Sequence, residues 1–89
     1  MVTDIILRSP LEQLRGVIGR YPGPDERYIF EFDRARTRSV HMVAVTKPLL
    51  VSFQADGHLV KTCVLDPWTG SASARCDRIV EQRPPEITL

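Results

Sequence analysis

The sequence predicts an α+β fold that is mostly β: a small twisted sheet or half-open β-barrel of about six short strands with one short N-terminal helix. Three observations predict it. Apolar residues alternate with polar ones over short runs, Tyr28-Ile29-Phe30-Glu31-Phe32 being the clearest. Turn-forming residues interrupt those runs at Tyr21-Pro22-Gly23-Pro24-Asp25, Ala55-Asp56-Gly57 and Asp66-Pro67-Trp68-Thr69-Gly70-Ser71. Only one segment repeats its apolar residues at helical spacing, and it is short. At 89 residues the chain holds one domain, expected over residues 1–83 with a tail at 84–89.

The first strand is expected at Thr3–Arg8, where Ile5, Ile6 and Leu7 cluster. Ser9-Pro10-Leu11-Glu12 then reads as a helix start: Ser9 as N-cap, Pro10 at the first helical position, Glu12 closing a capping box. Leu11, Leu14, Val17 and Ile18 give one apolar stripe, so the helix is expected over Pro10–Ile18 with Gly19 as its stop. A helix this short must pack on a sheet to persist. The second strand follows over Tyr28–Phe32, then a charged connection over Asp33–Arg38. Val40–Val45 and Leu49–Phe53 read as two more strands, with Pro48 at a strand start or edge. Asp56-Gly57 is a hairpin turn signature, His58–Leu65 its returning strand, and Ser73–Glu81 the last strand.

Composition narrows the functional classes. Apolar residues make up 43% and charged residues 26%, which argues against disorder. Twelve basic and 11 acidic side chains leave a net charge of +1, so bulk charge selects no partner. The longest apolar run is four residues, Met42–Val45, far from a membrane span. The first residues carry no basic and apolar leader pattern, and a cytoplasmic location is expected. Cys63 and Cys76 are spaced neither as a redox pair nor as a zinc set, and are expected as small hydrophobes in strands. No metal, cofactor or catalytic constellation is read.

Several residues stand out as candidates for binding. Ten of the basic residues are Arg, which makes planar, paired contacts to phosphate and carboxylate. Arg15 lies beside the helix's apolar stripe, where its stem covers the core and its guanidinium reaches the sheet rim, and Gly16 next to it allows close approach of a strand or of the Trp68 loop. Arg34, Arg36 and Arg38 fall on one face if their segment is extended, either as a solvated, ion-paired face or as an anion or nucleic-acid contact. His41, between Val40 and Met42, is expected in a packed or inter-strand position. His58 is expected at a solvated strand end. Trp68 either plugs one end of the sheet or lines a binding surface.

The order of these motifs resembles the domain of unknown function 192 family over roughly residues 3–82. Leu14-Arg15-Gly16-Val17-Ile18-Gly19-Arg20 is similar to that family's Arg-Gly-Leu-Met-x-Arg element, and Phe30-Glu31-Phe32 to its Leu-Phe-x-Phe strand. Val40-His41-Met42 stands where it carries Phe-Trp-Met, while Pro48-Leu49, Phe53, Asp56-Gly57 and Val60 follow its hairpin and Glu81 the Leu-Glu of its last shared strand. The resemblance, closest to short archaeal members, implies a mostly β half-barrel with one short helix and no assigned reaction. Val43, Ala44 and Val45 replace the family's Lys-Asn-Thr, and Leu50 its Asp, so a shared polar pocket has lost members.

These readings converge on a small cytoplasmic binding or interaction module, more binding protein than enzyme. Its expected ligand is a small anion, or else a protein partner, at a rim formed by the helix end and the loop after the long hairpin: Arg15, Arg20, His41, Asp66 and Trp68. A nucleic-acid module using Arg34, Arg36 and Arg38 is the alternative. A hydrolase-type site using His41 with Ser39 or Asp66 is the third reading.

Overall fold

A computed structural model describes residues 2–7 and 21–85. Its five strands form one mixed sheet: β1 (Thr3–Leu7), β2 (Glu26–His41), β3 (Leu49–Ala55), β4 (His58–Leu65) and β5 (Ser71–Gln82), in the order β1-β2-β5-β3-β4. β1 runs parallel to β2, with Ile5 opposite Tyr28. A parallel pair needs a long crossover, and residues 8–25 supply the length for it. The other pairings are antiparallel. There is no helix among the described residues, and the helix expected over residues 10–18, with Arg15, Gly16 and Arg20, lies outside them.

The strand count is five rather than six, because two expected strands are one. The charged connection expected at Asp33–Arg38 is part of the 16-residue β2. Its pairing with β5 passes from Glu31↔Arg78 to Arg36↔Cys76, so five steps on β2 match two on β5. The surplus is taken up in a bulge that bends the strand without ending it. Within the bend the Arg38 guanidinium lies 3.7 Å from the Phe32 ring centroid and donates to the Arg34 carbonyl at 3.1 Å. Charged side chains thus stabilise a segment that their polarity alone marks as a loop. The strand expected over Val40–Val45 stops at His41, and Met42–Val45 is a turn.

Other local expectations hold. Asp56 and Gly57 adopt left-handed φ angles of 52° and 80°, the conformation of a tight hairpin turn. Pro48 sits immediately before β3, where its missing N–H removes no ladder bond. The core gathers Tyr28, Phe30, Met42, Leu49, Val51, Phe53, Cys76 and Ile79 on one face of the sheet. β5 is central: its C-terminal half pairs with β2 on one side and β3 on the other, so Tyr28, Glu81 and Val51 stand in one row across three strands. Cys63 is half-buried and Cys76 buried, both as free thiols in strands.

Candidate functional site

Where β2 ends at His41 the chain turns through Met42–Val45, with the Val45 N–H donating to the Met42 carbonyl at 2.9 Å. Met42 and Val45 are buried and anchor this turn, while Val43 between them is 65% exposed. Facing it, the chain after β4 closes a second turn, with Gly70 N–H donating to Asp66 O at 3.0 Å and Thr69 N–H to Pro67 O at 2.7 Å. The two turns are strapped together. Met42 N–H donates to Gly70 O at 3.0 Å, and Trp68 N–H donates to Val45 O at 3.1 Å. Gly70 is required by space: a Cβ there would lie 2.7 Å from both the backbone N and O of Asp66.

Trp68 adopts a left-handed backbone in this arrangement, φ 65°, yet its side chain is 56% exposed. Ala44, in the opposing turn, is left-handed as well, at φ 67°. Neither residue is a glycine, so each carries a conformational cost of about 1–2 kcal/mol that the surrounding hydrogen bonds must offset.

Three residues past Val45, the Pro48 carbonyl accepts a hydrogen bond from the Tyr21 hydroxyl. The Lys47 ammonium lies 5.5 Å from the Tyr21 ring centroid and the Arg83 guanidinium carbon 5.2 Å from it. Arg83 Nε–H also donates to the Pro22 carbonyl at 2.7 Å. Partial burial pushes the Tyr21 phenol above its ordinary pKa, and the Arg83 charge only tempers the shift, so the ring is neutral at neutral pH.

Of the residues singled out in the sequence, His41, Asp66 and Trp68 come to this one end of the molecule. His41 and Asp66 are exposed, and Trp68 keeps more than half its surface in solvent. His41 is therefore not packed inside: it lies opposite Ser71, on the solvent side of the β2–β5 pair. No hydrogen bond joins it to Ser39 or Asp66 among the described residues, and the Ser39 hydroxyl is engaged by that of Ser73 at 2.6 Å. Arg34, Arg36 and Arg38 do not form a flat stripe. Arg34 and Arg36 lie at and beside the bulge, and Arg38 is folded back onto Phe32 with a buried Nε.

Four residues of consequence carry no such signal in the sequence. Tyr21 falls in a segment that reads as a turn-rich loop, Arg83 at the boundary between the last strand and the tail, and Lys47 in a connection. Their convergence is tertiary and leaves no local trace. Glu81 reads only as a strand residue. It is the one buried charged residue among those described, 6% exposed, with Oε2 making no hydrogen bond. Burial pushes its carboxyl up to about 7. Burial also pushes the Cys76 thiol up, although the Arg38 charge draws it down and Asp77 raises it further. A buried thiol of raised pKa is a poor nucleophile.

No family model matches the chain, and no curated protein does. Two solved structures share its fold. A provisionally assigned transcription regulator from Sinorhizobium meliloti superposes with a TM-score of 0.78 at 20% identity, covering 92% of this chain and 68% of that one. A protein of unknown function from Novosphingobium aromaticivorans gives 0.77 at 20% identity, covering 90% of this chain and 61% of its own length. At that identity the likeness concerns the fold: this chain has the mixed, mostly β architecture of both proteins.

Proposed function

We propose that this domain is a small binding module whose ligand surface is the rim built from the Met42–Val45 and Asp66–Gly70 turns, with Trp68 as the main contact and His41 and Asp66 beside it. The observation that carries the reading is Trp68 itself. A large aromatic is held in a left-handed backbone by the bond to Val45, and is left mostly in solvent beside exposed Val43. Strain retained at an exposed aromatic is characteristic of a contact residue. The ligand class is a small anionic molecule, in keeping with the basic residues Lys47 and Arg83 around the Tyr21 ring. The half-barrel curvature is part of the same proposal, while Arg15, Arg20 and the helix expected over residues 10–18 lie outside the described residues. Membership of the domain of unknown function 192 family is part of this proposal, supported by the Asp56-Gly57 turn and the place of Pro48 before β3. So is a cytoplasmic location, supported by two free thiols.

The weaker reading is a nucleic-acid surface on Arg34, Arg36 and Arg38. The stacking of Arg38 on Phe32 leaves fewer guanidiniums free for phosphates than the sequence suggests. Ligand-observed NMR against a panel of anionic metabolites tests the main reading. Binding by the parent protein that is lost in a folded Trp68→Ala variant supports it. Hits that bind the variant equally well overturn it, as does silence across the panel.

A further inference from the structure

Two exposed cations gather around Tyr21, and no carboxylate among the described residues is paired with them. Lys47 and Arg83 both approach one ring, within the roughly 6 Å over which a cation is drawn to an aromatic face. The described ion pairs are Arg27 with Asp4 and Arg75 with Asp56, so neither of these two cations meets a carboxylate among the described residues. Of the carboxylates close by in the chain, Glu26 accepts from the Gly23 N–H at 2.7 Å, and neither it nor Asp25 forms a described ion pair with these cations. Tyr21 does not neutralise the pair, because its phenol is held protonated and donates its proton to Pro48.

The same contacts give the group a fixed shape. Arg83 is tied through Nε to the Pro22 carbonyl, which leaves its terminal nitrogens as the donors open to a ligand. Tyr21 pins the backbone at Pro48, immediately after Lys47, so the lysine stem starts from an anchored point. A guanidinium offers paired donors to a phosphate and an ammonium offers a compact charge beside it. We propose that Lys47 and Arg83, set around the Tyr21 ring, form an anion subsite for a phosphate-bearing small molecule. The proposal rests on the reading of the adjoining rim as a ligand surface and names the charged end of that ligand.

Inorganic pyrophosphate, titrated at low ionic strength into the ¹⁵N-labelled protein, is the probe. Saturable shifts centred on Tyr21, Lys47 and Arg83 are expected. Lys47→Gln and Arg83→Gln are each expected to weaken binding about tenfold, and Lys61→Gln, on exposed β4, to leave it unchanged. Shifts that spread over the basic residues without saturating overturn the subsite, as does equal weakening by Lys61→Gln. Saturable shifts at His41 and Trp68 with none at Tyr21, Lys47 and Arg83 overturn it while the rim reading stands. No shift at all overturns the subsite, and the metabolite panel with Trp68→Ala then decides the rim separately. The parent titration decides for or against the subsite even if a variant fails to fold.

Discussion

Glu81 shows how one residue sets the pH response of the domain. It stands between Tyr28 and Val51 in the middle row of the sheet, away from water, with a carboxyl pushed up to about 7. In the unfolded chain the same group titrates near 4.5. The folded state therefore holds the proton more tightly, and stability falls with rising pH wherever the folded form binds more protons than the unfolded one. The contribution is complete below about pH 4.5, declines as pH rises, and is gone above about pH 7, amounting to about 3 kcal/mol in all. Glu81→Gln removes the ionisable group and is expected to flatten this slope, so that the variant gains on the parent as pH rises from about 5 to about 8. Urea melts at the two pH values check it, and parallel pH profiles for the two proteins contradict it. The opposite kind of residue is Ala44. It is exposed and left-handed at φ 67°, so Ala44→Gly is expected to stabilise the fold by about 0.5–1 kcal/mol, read as a raised melting midpoint.

At the scale of elements, the tight turn of Asp66–Gly70 depends on one missing side chain. The Gly70→Ala methyl would press on the Asp66 backbone at 2.7 Å and on the Leu65 Cβ at 2.9 Å. Backbone cannot yield as a flexible side chain does, so the substitution is expected to cost about 2 kcal/mol and to loosen Trp68. Thermal melts and the Trp68 fluorescence spectrum read both effects, and an unchanged midpoint would mean that the turn has room. Much at this scale is legible in the chain. The hairpin at Asp56-Gly57, the strands on either side of it and the loop at residues 66–70 follow from turn chemistry and alternation, which act over a few residues. The length of β2 is not legible. Asp33, Arg34, Arg36 and Arg38 look like a solvated connection, and only the pairing with β5 and the Arg38–Phe32 stack turn them into strand. Val40–Val45 misleads in the other direction, since an unbroken apolar run reads as strand when Met42 and Val45 are in fact the buried feet of a turn.

At the scale of the molecule, the topology brings the rim together. β5 is last in the chain and central in the sheet, so the end of β2 and the start of β5 lie side by side and their flanking turns must meet. His41, Asp66 and Trp68 are identifiable separately as unusual residues. Their common location follows from that strand order, and the second flank of Tyr21, Lys47 and Arg83 joins segments far apart in sequence. The two bonds between them make the turns one pre-built platform rather than two independent loops. Amide hydrogen exchange measures this directly. The Met42 and Trp68 amides, which donate the two strapping bonds, and the Val45 and Gly70 amides, bonded within their own turns, are predicted to exchange roughly a hundredfold or more slowly than those of Ala44 and Thr46, which donate to no backbone carbonyl among the described residues. Exchange of all six at the rate of open loop amides would contradict it.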